Sequence, residues 1–191
     1  ALYKLAQMLH RSKRRDDAAP LYRQAVAAAE GALERSPESA KFRQTLGFTL
    51  WSFSMSLSDS DRMEEAEEAG RRAEASLREV SARTPTPDHR SNWASSLNNL
   101  GSILQKRGRT EEALSVQKQC LDLREALARE QPEDLNCQSD VGGALHNMAM
   151  RLDRAGRYSE AIAMMRQALA VQQRAFDAKP ENPKFTCTTI M

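Results

Sequence analysis

The sequence is poor in aromatic residues and in cysteine, and both shortages exclude classes of protein. Aromatic residues make up only 5% of the 191 residues, and the three cysteines, Cys120, Cys137 and Cys187, include no CxxC pair. An odd number of isolated cysteines indicates neither a disulfide framework nor a zinc site. We therefore expect no metal, no cofactor and a reducing compartment, the cytoplasm.

Long apolar runs and a strong charge of one sign are also missing. The chain has no run of 18 apolar residues and no signal-peptide pattern, so we expect no membrane segment. The formal net charge of +2 is too close to neutral for a nucleic-acid binder, in which we would expect a basic stripe with interleaved aromatics. The residues that are abundant, Ala, Leu, Glu, Arg and Gln, favour helix throughout.

The chain repeats itself with a period of 47 or 48 residues. The segment GRTEEALSVQKQCL, which starts at Gly108, aligns with GRYSEAIAMMRQAL, which starts at Gly156. The aligned large residues are Leu2, Leu50, Leu97 and Leu145; Leu5, Phe53, Leu100 and Met148; and Leu9, Leu57, Leu104 and Leu152. The aligned small residues are Ala6, Ser54, Gly101 and Ala149; Ala18, Ala66, Ala113 and Ala161; and Ala25, Ala73, Cys120 and Ala168.

Each repeat contains two helices. Leu97, Leu100, Gly101 and Leu104 recur at the spacing i, i+3, i+4, i+7, which places them on one face of a first helix, helix A. A second periodic run, Thr110 to about Arg129, is helix B. Ser-Pro and Thr-Pro pairs at Ser36 and Thr86, and Asn182-Pro183, read as a capping residue followed by proline in the first helical position. The predicted repeats cover residues 1–37, 38–85, 86–132 and 133–180, and residues 181–191 begin a further, truncated or aborted helix.

This pattern resembles the tetratricopeptide repeat. In that family a large residue is followed three and four positions later by Leu and by Gly or Ala, and helix B carries Ala-x3-aromatic-x2-Ala. The matching residues of the last repeat are Leu145, Met148, Ala149, Leu152, Ala161, Met165 and Ala168. The resemblance implies an all-α, right-handed superhelical solenoid of about four helical hairpins, forming a single array over residues 1–191.

Two features depart from the usual family pattern. The helix-B aromatic is Tyr22 in the first repeat but Gly70, Gln117 and Met165 in the others, so the packing at this place must differ. The period exceeds the usual 34 residues, which adds about two turns to each helix and predicts helices of roughly 20 residues. This long period resembles the kinesin-light-chain type and bacterial arrays attached to signalling proteins.

The resemblance also implies a peptide-binding surface on the concave side, which is lined by helix A. An asparagine before the Leu-Gly pair commonly holds a peptide backbone in this family, and Asn99 and Asn147 occupy that place here. The same surface should carry the methionines Met55 and Met150. The predicted peptide-binding residues are Trp51, Asn98, Asn99, Ser102, Gln105, Lys106, His146, Asn147 and Arg154.

Structural explanations compete with several of these assignments. Asn99 and Asn147 could simply bond a neighbouring helix, and Trp51 could pack against its neighbours rather than anchor a ligand. The basic run RSKRR, residues 11–15, is either a solvated turn or a contact for an acidic partner. An arginine shared by all repeats, at positions 14, 62, 109 and 157, is expected to meet the carbonyl groups at the end of helix A.

The sequence offers no support for catalysis. The three histidines lack metal-ligand spacing, and neither a GxxxxGK[ST] phosphate loop nor a GxSxG elbow is present. The carboxylates of EEAEEAG, residues 64–70, should complement the dipole at the start of a helix and face solvent. We therefore predict that the chain is not an enzyme.

The predicted function is a noncatalytic scaffold that binds a protein or peptide segment, with acidic character favoured by Lys106 and Arg154, as part of a larger signalling or regulatory protein. The alternative is self-assembly as a homo-oligomer through ends that lack polar caps, since solenoids need such caps for solubility. Leu2, Leu5, Phe185 and Ile190 are the apolar residues that such a contact would use.

Overall fold

The computed structural model describes residues 1–178, and all regular elements in this range are α-helices. Their order along the chain is α1 (Leu2–Arg11), α2 (Arg15–Arg35), α3 (Ala40–Asp59), α4 (Met63–Arg83), α5 (Pro87–Lys106), α6 (Thr110–Glu130), α7 (Leu135–Arg154) and α8 (Tyr158–Ala178). Odd-numbered helices are the predicted A helices and even-numbered ones the B helices. Apart from α1, the helices have 20 or 21 residues, which confirms the long repeat.

The helices form two compact units. The N-terminal unit spans Ala1–Arg109 and contains α1 to α5, and the C-terminal unit begins at Thr110 and contains α6 to α8. The core of the N-terminal unit is built around Tyr22, Leu50, Phe53 and Leu57, all buried. In the C-terminal unit, Leu114, Met148, Leu152 and Ala161 form a buried cluster. Leucines and small residues of the repeat therefore make the core of each unit.

The turn from helix A to helix B is the same in every repeat. One residue adopts a positive φ: Lys13 at 63°, Asp61 at 59°, and Gly108 and Gly156 both at 74°. The N–H of the next residue then donates to the carbonyl five residues earlier, at 2.9–3.0 Å in all four turns. This pattern is a Schellman motif, in which a left-handed residue ends one helix and satisfies its last carbonyl groups.

The arginine shared by the repeats follows this left-handed residue, and its side chain does not have the predicted role. Its backbone N–H, rather than its guanidinium, reaches the carbonyl at the end of helix A. In three of the four repeats the side chain instead pairs with the carboxylate three residues on: Arg14 with Asp17 at 2.7 Å, Arg62 with Glu65, and Arg157 with Glu160 at 2.7 Å. These three ion pairs fasten the start of helix B, whereas Arg109 pairs with Glu67 on α4.

The turns from helix B to helix A differ in their caps. Thr86 caps α5 through a hydrogen bond from the backbone of His89, with Pro87 in the first turn, as predicted. The prediction at Ser36 was wrong, because α3 is capped three residues later by Ser39, which accepts from the backbone N–H of Phe42. Asn182-Pro183, Phe185 and Ile190 lie outside the described residues.

Candidate functional site

The A helices of the N-terminal unit lie side by side. Cα atoms of α1 and α3, and of α3 and α5, approach within 8 Å, whereas α2 and α4 show no such approach in this unit. Polar side chains link the A helices: the Tyr3 hydroxyl lies 3.0 Å from the Ser52 hydroxyl, and Gln7 donates to Tyr3 at 2.7 Å. The surface that was predicted to bind peptide therefore contains hydrogen bonds that connect neighbouring A helices.

Two predicted peptide-binding residues form hydrogen bonds of this kind. The Asn99 amide donates to the Ser54 hydroxyl at 2.8 Å, and the Lys106 ammonium donates to the Ser58 hydroxyl at 2.9 Å. Asn99 thus bonds a neighbouring helix, the structural alternative to a role in binding. Its Nδ2 is engaged with α3, which leaves the amide oxygen and the second amide hydrogen as the groups that a ligand could use.

The other predicted residues of the N-terminal unit differ in exposure. Trp51 is half-buried against the core, and its ring lies 6.3 Å from that of Phe48. Gln105 is also half-buried, and its Oε1 has no hydrogen-bond partner among the described residues. Asn98 is half-buried, whereas Ser102 is exposed and donates to the Asn98 carbonyl of its own helix at 3.2 Å.

In the C-terminal unit, α7 carries the remaining predicted residues. His146 and Arg154 are exposed, and Asn147 is half-buried. Beside them Arg151 is buried, and burial lowers its pKa to about 10. The predicted site is thus divided, with Asn99 in the N-terminal unit and Asn147 in the C-terminal one.

The place of the family's helix-B aromatic is filled in three different ways. Tyr22 stacks on Phe53 with ring centroids 5.6 Å apart, and burial, the largest cause, raises the Tyr22 pKa to about 12. A Cβ added to Gly70 would lie 3.4 Å from Ile103, which occupies the space that a side chain would otherwise fill. Buried Gln117 instead donates from Nε2 to the Ala144 carbonyl at 3.0 Å. The predicted difference in packing is present in both units.

The expectation that all carboxylates of residues 64–70 face solvent was wrong for Glu67. Its side chain is buried and is held by Arg71 at 2.8 Å, by Arg107 at 2.7 Å and by Arg109. Burial raises the pKa of Glu67, but the hydrogen bonds and charges of Arg71 and Arg109 outweigh it and keep the pKa below its ordinary value. This cluster fastens the turn after α5 to α4.

A cleft of about 230 Å³ lies between α2 and α4 over α3, on a side that the sequence did not indicate. Arg23 pairs with Glu65 across it at 3.1 Å, and Arg72 pairs with Glu30. Each of these pairs joins opposite charges 42 residues apart, as does Arg109 with Glu67. In the sequence, the signal for these ion pairs is a basic and an acidic residue separated by 42 positions, slightly less than the repeat period.

Other kinds of site receive no support from the described part of the chain. Within residues 1–178, no helix is long and apolar enough to cross a membrane. The same residues include no group of three or more His, Cys, Asp or Glu side chains placed to hold a metal ion.

Comparisons with known proteins agree with the geometry. Tetratricopeptide repeat models match residues 93–174 and residues 1–36. Among curated proteins, none matches the chain in sequence.

One solved structure shows the same fold, and a second is reported beside it. The crystal structure of BtubC (BKLC) from P. vanneervenii is similar over 100% of this chain and 68% of its own, with a TM-score of 0.69 and 22% identity. A Podosopora anserina protein described as a putative kinesin light chain with nearly identical TPR-like repeats covers 91% of this chain and 94% of its own, at 17% identity and a TM-score of 0.49. The described helices, arranged as repeated pairs, together with the matching family models, show that the chain belongs to the tetratricopeptide repeat proteins and folds as an all-α helical solenoid.

Proposed function

We propose that the chain is a noncatalytic scaffold that binds an extended peptide segment of a protein partner on its helix-A surface. The tetratricopeptide fold supports a protein-interaction scaffold in general. The observation that carries the finer proposal is a methionine exposed at the same repeat position in both units, Met55 at 44% and Met150 at 39%. Methionine is flexible and polarisable, so it adapts to the apolar side chains of different ligands.

Polar groups beside these methionines suit a peptide backbone. On α5, Ser102 is exposed near the half-buried amide of Asn98, and on α7, His146 is exposed next to Asn147. Amides and hydroxyls both donate and accept, so they bond a peptide backbone whatever its sequence. Lys106 and Arg154, both exposed, give the surface a preference for acidic segments. Rigid helices hold these groups in place, so that the ligand loses most of the conformational freedom.

The test is a selection of binding peptides from a random library displayed on phage, followed by calorimetric titration of one selected peptide. The variant Met55→Ala, Met150→Ala removes exposed side chains of the helix-A surface, and we expect about tenfold weaker binding. The matched control, Gln24→Ala, Gln119→Ala, changes exposed residues of the B helices α2 and α6 and should bind as the native chain does. Loss of binding in the control alone would place the ligand on the B helices and overturn the proposal.

The proposed setting is a larger signalling or regulatory protein in the cytoplasm. Both cysteines in the described part, Cys120 and Cys137, are free thiols, as a reducing compartment would keep them. The pKa of Cys120 is raised, chiefly by burial. The raised pKa keeps the thiol protonated and unreactive.

Self-assembly through the ends is a second candidate function. Leu2 and Leu5 on α1 are exposed, as are Ile162 and Leu169 on α8. Exposed apolar side chains on both the first and the last of the described helices favour a contact between copies. Sedimentation at increasing concentration tests it, because a constant monomer mass would exclude assembly.

A further inference from the structure

An apolar stripe runs along the exposed side of α8. Tyr158, Ile162 and Leu169 are more than half exposed, and Met165 lies between them at helical spacing. The adjacent side of α8, which carries Ala161, Ala168 and Ala175, is buried. Solvent therefore covers three large apolar side chains on one face of the last described helix.

The repeat shows what covers this face elsewhere in the chain. Met165 aligns with Tyr22, Gly70 and Gln117, and each of these three contacts the A helix that follows it: Tyr22 stacks on Phe53, Gly70 lies against Leu100 and Ile103, and Gln117 bonds the Ala144 carbonyl. Ile162 aligns with Leu114, which is buried in a cluster with Met148 of the following helix α7. The stripe on α8 is thus the surface on which a helix A packs.

The first helix, α1, exposes the complementary half of the same interface. Leu5 is 48% exposed and Met8 is 66% exposed. Leu5 aligns with Phe53, Leu100 and Met148, and Met8 aligns with Ser56, Ile103 and Arg151; all six of these are buried. In those three A helices the preceding helix B lies against this face, as the contacts of Tyr22, Gly70 and Leu114 show.

We infer that α1 of one copy packs on α8 of a second copy, in the register by which a helix A follows a helix B within the chain. This inference rests on self-assembly as the second candidate function and names its contact and its partner. Contacts between a helix B and the next helix A within the chain predict the corresponding contacts between copies. Leu114 with Met148 predicts Ile162 against Leu5, and Gly70 with Ile103 predicts Met165 against Met8.

The contact is heterologous, because it joins two different surfaces of the same chain. Such a contact leaves one free α1 and one free α8 after each addition, unless the copies close into a ring. It needs only α1 and α8, both of which expose large apolar side chains. The second copy is the occupant whose helix already has the aligned residues that this register requires.

The experiment measures the mass of the intact chain by sedimentation over a wide range of concentration. We expect the mass to rise above the 21.4 kDa of one copy as concentration increases. The variants Leu5→Lys and Ile162→Glu each place a charge against an apolar partner, and each alone should weaken association by about 30-fold or more. Both positions are exposed in the single chain, so the fold should tolerate the change, which circular dichroism checks.

Mixing the two variants provides the decisive result. The lysine introduced into α1 of the first variant then meets the glutamate introduced into α8 of the second, while the other contact in the mixture keeps its native Leu5 and Ile162. We expect the mixture to regain association that neither variant shows alone, and to lose part of it again at high salt. The control pair Gln24→Lys and Gln119→Glu alters exposed side chains of α2 and α6, away from α1 and α8, and should leave association unchanged.

Two outcomes overturn the inference and are distinguishable. A chain that stays monomeric at every concentration removes both self-assembly and this contact. A native chain that associates, while Leu5→Lys and Ile162→Glu associate equally well, keeps self-assembly as a function but removes the contact between α1 and α8.

Discussion

Gly47 on α3 lies where the backbone of one helix meets a buried side chain of the next. A Cβ added at this residue would lie 2.8 Å from Cγ and 2.9 Å from Cδ2 of Leu77 on α4, and 3.4 Å from Cβ of Ser76. Leu77 is 1% exposed, so it has no solvent into which to move. Replacement of Gly47 by alanine therefore forces α3 and α4 to shift, or Leu77 to leave its rotamer.

Two opposing effects decide the magnitude. Alanine favours a helix interior over glycine by about 1 kcal/mol. Overpacking of a filled core costs roughly 1–3 kcal/mol, and contacts near 2.8 Å place this site in the upper part of that range. We expect Gly47→Ala to lower the free energy of unfolding by about 1–2 kcal/mol.

The matched control is Gly31→Ala on α2, in the same unit. Its added Cβ would meet only the end of the Arg35 side chain, at 3.6 Å, so the helix preference acts alone. Urea denaturation followed by circular dichroism should show this variant more stable than the native chain by about 0.5–1 kcal/mol. Equal stabilisation by both substitutions would refute the reasoning, because it would mean that α3 and α4 are not packed closely at Gly47.

Three further predictions concern single residues of the N-terminal unit, and urea denaturation measures each of them. Lys13→Gly should raise the free energy of unfolding by about 1 kcal/mol, because glycine adopts the left-handed turn conformation without steric cost; no gain would mean that the turn is not left-handed. Pro20→Ala should raise it by about 1 kcal/mol or more, since Pro20 lies inside α2 and can donate no hydrogen bond to the carbonyl four residues earlier; a loss would contradict this. Glu67→Gln should lower it by roughly 2–3 kcal/mol, because the arginines around this buried carboxylate lose their charge partner. Because folding lowers the pKa of Glu67, its contribution to the free energy of unfolding is complete above the ordinary glutamate pKa and is lost as pH falls through the lowered value. The Glu67→Gln variant should therefore lack this part of the dependence of stability on acid pH.

The repeat period made the fold predictable from sequence. Four aligned copies of the same leucine and alanine positions, such as Leu50 with Leu97, define helix pairs, and a period of 47 or 48 residues sets their length. Each copy reinforces the same pattern, so local helix preference and the pattern of buried residues agree. Two of the four turns between paired helices have a glycine, Gly108 and Gly156, at the position that requires a left-handed residue.

The roles of polar side chains were predicted less well. Asn99 could bind a ligand or a neighbouring helix, and only the distance to Ser54 decided that it bonds α3. Glu67 shares its sequence context with exposed glutamates, yet three arginines enclose it. A polar residue can reach several partners with similar energy, so its choice depends on which helices lie next to it.

Apolar periodicity along the chain was sufficient to predict the family, the helix pairs and the small residues that allow the helices to pack. Tertiary structure decided which carboxylates are buried, where the cleft between α2 and α4 opens, and which apolar faces of α1 and α8 stay exposed. Those features depend on residues 40 or more positions apart, as in the pairs of Arg107 with Glu67 and of Tyr3 with Ser52. Local preference carries no information about such distances until the helices are placed side by side.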